Sequence, residues 1–471
     1  MGPLARLGIA FRRGFGRVTP DPFVLAVGLS LAVLLLAVLA GDWPNPSGAP
    51  PQGLLARMST ALEVWSGNGL WKLLGFAMQM ILMLVLGTAL AEAPVIRRGL
   101  AKLARLAPSP RALVLITALV SIGLSLLSWS LSLIGAAILA REGGRQAKLR
   151  GWQLHYPIVC AAAYAGLMTW HGGLSGTAPL KATTEKDMVE VLGQPLAQQI
   201  GTIPLAQSLF SPLNLFITGG LLVLGPLLFW ALTPRDGADP APQAQADAIA
   251  NTPSEAELWE PPPADALERI ERSTVVTYAL GFPLFAALVL QLTRHGLGNL
   301  DVDTMNLALW VLALLLHGRP HRFLDACSKG MQACLGIVLQ FPLYAGIMAL
   351  MTASGLAARL TTVVSSVGAE LLAPLTFLTA GLLNLFVPSG GGQWAVQGPI
   401  VMEAARVTGV EPGAALMAVA YGDQWTNMLQ PFWALPLLAV TGVRARDIVG
   451  YTVLWMLAGG AWILLGLFVF T

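Results

Sequence analysis

The residues best placed to do chemistry fall into polar clusters inside otherwise apolar stretches. The densest reads Asn384-Leu385-Phe386-Val387-Pro388-Ser389-Gly390-Gly391-Gly392-Gln393-Trp394. The proline stops an incoming helix by removing a backbone donor, and the glycines let the chain turn and approach a ligand closely. A helix starting there would offer free N–H groups and its positive dipole end to an anion, so a carboxylate is the natural guest. The alternative is a tight turn with no ligand, because Gly and Pro are common in membrane helices. An earlier cluster offers hydroxyls instead, from Ser128, Ser130 and Ser132 around Trp129. Serines also serve as hydrogen-bonding groups between helices.

Two further segments read as helices broken by small and polar residues. One carries Thr169, Trp170, His171, Gly172, Gly173 and Ser175; the other carries Tyr421, Gly422, Asp423, Gln424, Trp425, Thr426 and Asn427, followed by Gln430-Pro431. An ionisable group inside a membrane segment is costly and is a functional candidate by default. Asp423 could bind Na⁺ together with backbone carbonyls, or carry a proton; the plainer alternative is an interfacial acid bonded to Gln424 or Trp425. His171 could relay a proton, although a lone His beside a glycine break is more often structural. Trp170, Trp394, Trp425 and Trp433 could wall an apolar pocket for a short acyl chain, and each alone could equally be packing.

These clusters must be held by helices immersed in lipid. Of 471 residues, 55% are hydrophobic and 11% charged, where a soluble domain carries about 25% charged residues. Apolar runs near the roughly 20-residue length that crosses a bilayer recur along the chain, among them 23–40, 70–90, 211–232 and 449–470. The first follows Arg6, Arg12, Arg13 and Arg17 but lacks a clean cleavage site, so it reads as a retained helix rather than a signal peptide. The net charge of +3 comes from basic residues in short clusters between apolar runs, which report orientation and not a nucleic-acid partner. Cys160, Cys327 and Cys334 have no paired spacing, and no metal-ligand pattern is present.

Basic clusters mark the cytoplasmic side: Arg6 to Arg17, Arg97 to Arg111, Arg141 to Arg150, Arg319 to Lys329, and Arg444 with Arg446. They bracket the stretch 112–140, which therefore reads as a re-entrant hairpin, with its tip near Trp129, allowed only where irregular backbone is buried or lines a cavity. A second interrupted stretch, 371–410, starts and ends outside. The expected organisation is a cytoplasmic basic N-terminus at 1–20, a first transmembrane repeat at 21–233, a Pro- and acid-rich cytoplasmic linker at 234–273, and a linking helix with a second repeat at 274–471. Leu126-Leu127-Ser128 matches Leu382-Leu383-Asn384, and Ala163-Tyr164-Ala165-Gly166 matches Ala420-Tyr421-Gly422, at a spacing near 256; Gly75 with Gln79 matches Gly336 with Gln340 at a slightly larger one. The fold class expected is an all-α polytopic membrane protein of two inverted-topology repeats, each with a re-entrant hairpin and a broken helix, as in secondary transporters with a midplane site.

The motifs Val387-Pro388-Ser389-Gly390-Gly391-Gly392-Gln393-Trp394 with Gln397-Gly398-Pro399, and Ala420-Tyr421-Gly422-Asp423-Gln424-Trp425-Thr426-Asn427 with Gln430-Pro431-Phe432-Trp433-Ala434-Leu435-Pro436, resemble the AtoE-type short-chain fatty acid transporter family of bacterial inner membranes. Pro20-Asp21-Pro22-Phe23, Gly75-Phe76-Ala77-Met78-Gln79-Met80 and Leu339-Gln340-Phe341-Pro342 extend the resemblance over nearly the whole chain outside 235–270. The resemblance implies uptake of acetoacetate, butyrate or similar acids, no cofactor beyond a coupling Na⁺ or H⁺, and a homodimer. It also implies membership of the broader ion transporter superfamily, whose hairpin-tip Ser, Asn, Thr and Gly residues bind carboxylate and Na⁺. Carried over position by position, Ser128 and Asn384 join Asp423 as ion-coupling candidates. The substrate-binding candidates are Ser128, Trp129, Ser130, Ser132, Thr169, Trp170, Asn384, Ser389, Gly390, Gly391, Gly392, Gln424, Trp425 and Asn427. Two positions depart from the family pattern: His171 stands where a third Gly is common, and Asp423 where Glu can occur. Rival readings are a passive carboxylate channel and a membrane-embedded enzyme, for which no nucleophile motif is present.

Overall fold

The computed structural model describes residues 22–44, 51, 53–72, 74–234, 263, 265–296, 300, 302–332, 334–356, 359, 368–385, 390–430 and 432–471. The basic N-terminus, most of the expected linker, and Ser389 lie outside the described residues. Every regular element among those described is helical. With so few charged residues and so many long apolar runs, the backbone can satisfy its own hydrogen bonds in lipid only this way or as a closed barrel.

In chain order the first half comprises α1 (Pro22–Ala40), α2 (Leu54–Val64) continued by a π turn (Trp65–Gly69), α3 (Leu74–Glu92), α4 (Pro94–Leu106), α5 (Pro110–Ser125), α6 (Trp129–Leu149) and α7 (Tyr156–Tyr164). Short helices α8 (Thr177–Lys181), α9 (Glu185–Leu192) and α10 (Gln194–Ile200) lead to α11 (Pro212–Leu232). After the linker come α12 (Ala266–Glu271), α13 (Thr274–His295), α14 (Val302–His317), α15 (Pro320–Gln332), α16 (Leu335–Ala353), α17 (Ala369–Asn384), α18 (Gly390–Thr408), α19 (Pro412–Thr426), α20 (Leu435–Thr441) and α21 (Ala445–Phe470). Segments 212–232, 266–294, 335–353 and 445–470 are long and apolar enough to cross a membrane by length and composition. The chain folds as an all-α, multi-pass membrane protein.

The two halves clasp one another. From the first half, α3 lies against α14 and α15 of the second: Asn306 donates to the Gln79 carbonyl at 3.1 Å, the His317 ring to that of Ala89 at 2.7 Å, and Lys329 reaches Glu92 at 3.3 Å. From the second half, α16 lies in the same way against α1 and α2 of the first. Its C-cap carbonyl, on Ser354, accepts from the Asp42 N–H at 2.8 Å, and Gly346 leaves room for the Trp65 ring. α11 and α21 pack together, with Trp462 over Gly220 and stacked on Phe216. By contrast α13 turns large apolar side chains such as Val275 and Phe282 outward, as a helix facing lipid must.

Two of the basic clusters expected at helix ends are themselves helices: Arg322 to Lys329 lies in α15, and the cluster starting at Arg97 lies in α4, bent 66° from α3. Pro94 at its first turn removes the donor that would continue α3. α4 buries Leu100 and Ala104 and leaves Arg98 and Arg105 exposed, so the chain turns where apolar sequence gives way to an amphipathic one.

Candidate functional site

Two helical hairpins carry the site. In the first, α5 and α6 run antiparallel: the Ser132 hydroxyl donates to the Ser121 carbonyl at 2.7 Å, and Leu113 packs on Gly143. The join is only 126–128, and Ser128 restarts the helix by accepting from the Leu131 N–H, a side-chain N-cap. In the second, α17 and α18 are tied by Gln393 donating to the Ala380 carbonyl at 2.8 Å and Gln397 donating to Thr379 at 3.2 Å. Each is a pair of helices packed side by side, over 110–149 in the first and 369–408 in the second.

Each hairpin faces a broken helix, and the two contacts repeat at one sequence offset. Gly166 sits so close to the Ser121 carbonyl oxygen that an added Cβ would stand 2.5 Å away; for Gly422 and the Phe377 carbonyl the figure is 2.4 Å. Both members of the second pair lie 256 residues after those of the first, the spacing read from the sequence. Glycine is required at both places because only it lets backbone meet backbone so closely. Above these contacts Ser125 meets Thr169 at 2.7 Å, and Asn384 meets Thr426 at 3.0 Å. The breaks follow: α7 gives way to short 3-10 turns through Trp170–Gly172, and α19 ends at Thr426. The equivalent tyrosines then cross-link the halves. Tyr164 donates to the Asn427 carbonyl at 3.0 Å, and Tyr421 donates at 2.9 Å to Asn214, whose amide nitrogen holds the Gly172 carbonyl.

At the meeting point lies a narrow cavity lined by Met80, Trp129, Leu167, Trp170, Thr177, Gly390 and Trp433. One hairpin tip supplies Trp129 and the other supplies Gly390, so both tips reach the same space. It has room for about one water molecule, so any larger guest must spread the rings around it. The indole N–H groups of Trp129 and Trp170 are buried and have no partner among the described residues. Buried donors are normally satisfied, and two on residues that line one cavity beside the start of a 19-residue helix suit an anion.

Beside the cavity the two breaks are joined through His171 and Asp423. The His171 Nε2 and Asp423 Oδ1 atoms are 3.1 Å apart, with both side chains buried. The His171 N–H donates to Gln424 at 3.0 Å, and its ring stacks on Trp170 with centroids 3.7 Å apart. On the other side Asn384 places its amide nitrogen 2.7 Å from the Asp423 carbonyl and 3.0 Å from both Thr426 Oγ1 and Asn427 Oδ1. The second oxygen of Asp423 and the amide nitrogens of Gln424 and Asn427 have no partner among the described residues. No cluster of three His, Cys, Asp or Glu side chains that could hold a metal occurs among the described residues.

The expected site residues thus separate into groups. Trp129, Trp170 and Gly390 line the cavity, with Gly391 and Gly392 following buried in the first turn of α18. Asn384, Asp423, Gln424 and Asn427 form the polar network beside it, joined by His171. Ser128 and Ser130 pair with each other at 3.0 Å at the first tip. Ser132 and Thr169 spend their hydroxyls on the packing of the hairpin and its broken helix. Trp425 points elsewhere, its ring against Phe377 and its N–H on the Met456 carbonyl at 2.8 Å. Trp394 is buried in a separate apolar cluster with Val401 and Met402. Sequence reasoning did not single out Leu167 or Thr177, and it carried Met80 only within a family motif. Thr177 could have been suspected from its place beside a break, whereas Met80 and Leu167 are apolar residues in apolar helices and give no signal of facing a site.

A family model described as short chain fatty acid transporter matches residues 4–470. A protein of Escherichia coli named "Putative short-chain fatty acid transporter" is 35% identical, covering 99% of this chain and 100% of its own length. A Haemophilus influenzae protein of the same name is also 35% identical over 92% of each chain. Among solved structures, the Alcanivorax borkumensis YdaH transporter aligns over 95% of this chain and 98% of its own, with 17% identity and a TM-score of 0.47.

Proposed function

Because the chain belongs to the short chain fatty acid transporter family, we propose that it carries acetoacetate, butyrate or similar small monocarboxylates across the bacterial inner membrane, driven by a Na⁺ or H⁺ gradient. The observation that carries the substrate class is the cavity between the hairpin tips. Two of the residues lining it, Trp129 and Trp170, carry partnerless indole N–H groups, which with the start of α18 suit a carboxylate, while Met80, Leu167 and Trp433 suit a short alkyl tail.

The same reading makes the two halves, 21–233 and 274–471, inverted repeats whose hairpins re-enter the membrane from opposite faces. The first arms support it: α5 and α17 have 16 residues each, about 24 Å of helix against a hydrocarbon core of about 30 Å. So do the Gly166 and Gly422 contacts at one offset, and the reciprocal clasp of α3 and α16. Asp423 couples transport to the ion, with Asn384 and Ser128 contributing on the hairpin side, and the working unit is a homodimer. His171 and Asp423 join the two breaks, so a change in the charge of that pair would be felt by both halves at once. The test is uptake of labelled acetate, butyrate and acetoacetate by purified protein in liposomes under separate Na⁺ and H⁺ gradients. Accumulation of none of them under either gradient would refute the reading.

A further inference from the structure

One side chain stands between the polar network and the cavity. The Nε2 atom of His171 is 3.1 Å from Asp423 Oδ1. The face of the same ring lies on Trp170, a wall of the cavity, with centroids 3.7 Å apart and planes at 35°. Gly390, another residue of the cavity wall, comes so close that an added Cβ would stand 2.7 Å from His171 Cε1.

The ring is held at a single polar point. An ionised carboxylate only accepts, so Nε2 is the donor to Asp423, and Nδ1 has no partner among the described residues. The backbone is held separately, its N–H on Gln424 at 3.0 Å, so the ring can shift while the chain stays. Trp170 is fixed by packing, because its indole N–H has no partner among the described residues. His171 lies on one side of it, and Trp129 meets it edge to face with centroids 6.4 Å apart. A cavity with room for about one water molecule admits an acid only when its rings give way, and Trp170 cannot move toward His171 while Asp423 holds that ring.

Asp423 Oδ2 has no partner among the described residues, and neither has the side-chain oxygen of Asn384 beside it. A cation taken up by such oxygens draws charge from the carboxylate and weakens its bond to His171, since hydrogen bonds to ionised acceptors are roughly twice as strong as neutral ones. Building on the ion-coupled reading above, we propose that His171 is the positioning residue that links the ion site to the acid site. With Asp423 empty it pins Trp170 against the cavity. With a cation on Asp423 the ring is released and the cavity can open. The ion therefore binds first and raises the affinity for the acid, and the acid raises the affinity for the ion by the same factor.

The test is equilibrium binding of labelled butyrate to the purified full chain in lipid nanodiscs, at low and saturating Na⁺ and, separately, at neutral and mildly acidic pH. In the wild-type protein the coupling ion should tighten butyrate binding by about tenfold. His171→Ala removes the pin, so the same ratio should fall below about twofold. His171→Gln keeps an amide donor for Asp423 but sets no ring against Trp170; it should lose the ratio as well, and it serves if His171→Ala does not fold. A purely structural role would weaken binding at both ion levels alike. An unchanged ratio in either variant would overturn the link, as would a wild-type protein that takes up butyrate under an ion gradient but binds it equally well without the ion. Failure of the wild-type protein in liposomes to take up butyrate under either gradient would instead overturn the ion-coupled reading on which the link rests.

Discussion

Gly390→Ala adds one methyl group at the point where the second hairpin meets the first broken helix. Its Cβ would stand 2.7 Å from His171 Cε1, 2.8 Å from Nε2 and 3.3 Å from the Thr177 Cβ. Ordinary contact begins near 3.4 Å, so the ring must retreat by roughly 0.7 Å, the shift expected when a packed site is overfilled. It has little freedom to do so. Trp170 stacks on it at 3.7 Å between centroids, and Asp423 holds Nε2 at 3.1 Å, already near the outer limit for a good hydrogen bond. Overpacking of this kind costs about 1–3 kcal/mol, which is roughly 5- to 150-fold in affinity or rate. Gly219→Ala in α11 is the control, because nothing lies within 4 Å of its Cβ; there the methyl group should be neutral or stabilise the helix by about 0.5–1 kcal/mol. The assay is butyrate uptake in liposomes, normalised to protein in the membrane. Gly390→Ala uptake with wild-type affinity and rate would refute the packing of the α18 start against His171, and with it the convergence of the tips on one site.

Asp423→Asn keeps the shape and removes the charge; it should abolish concentrative uptake. Exchange of substrate across the membrane should survive if Asp423 carries a proton, whereas Na⁺ dependence and substrate affinity should weaken together if it binds Na⁺; unaltered uptake and ion dependence would assign it to packing. Asn384→Ala removes the amide that faces Asp423, Thr426 and Asn427. Leaving those acceptors unsatisfied should cost about 1–3 kcal/mol, read as loss of affinity or of thermal stability in detergent, and a silent substitution would dissolve the network. Cysteines at 109 and 148 should label from one side of the membrane and cysteines at 370 and 407 from the other; labelling of 109 and 148 from opposite sides would make the first stretch a single span and end the inverted repeat.

The sequence by itself determined the solvent and most of the elements. Composition places the helices in lipid, and the breaks follow from local chemistry: Ser128 can cap a new helix, and Gly172 and Gly173 weaken the end of one. The offset near 256 was legible from Tyr164 and Tyr421, because equivalent packing in two halves demands equivalent residues. The polar network was legible in part, since Asn384, Asp423 and Asn427 are costly in an apolar stretch and stand out.

Tertiary structure alone decided which side chains face the ligand space. Trp170 and Trp425 look alike in the sequence, each beside a break, yet one lines the cavity and the other donates to Met456, because a turn of 3-10 backbone rotates the first ring while Trp425 stays in regular helix. The pairing of His171 with Asp423 spans 252 residues and leaves no local trace. Met80 reaches the cavity only because α3 is held there by α14 and α15 of the other half. Patterns set by one helix's own period can be read from its residues, whereas a site at the junction of several chain segments is fixed by how they pack, and that information is spread over every interface between them.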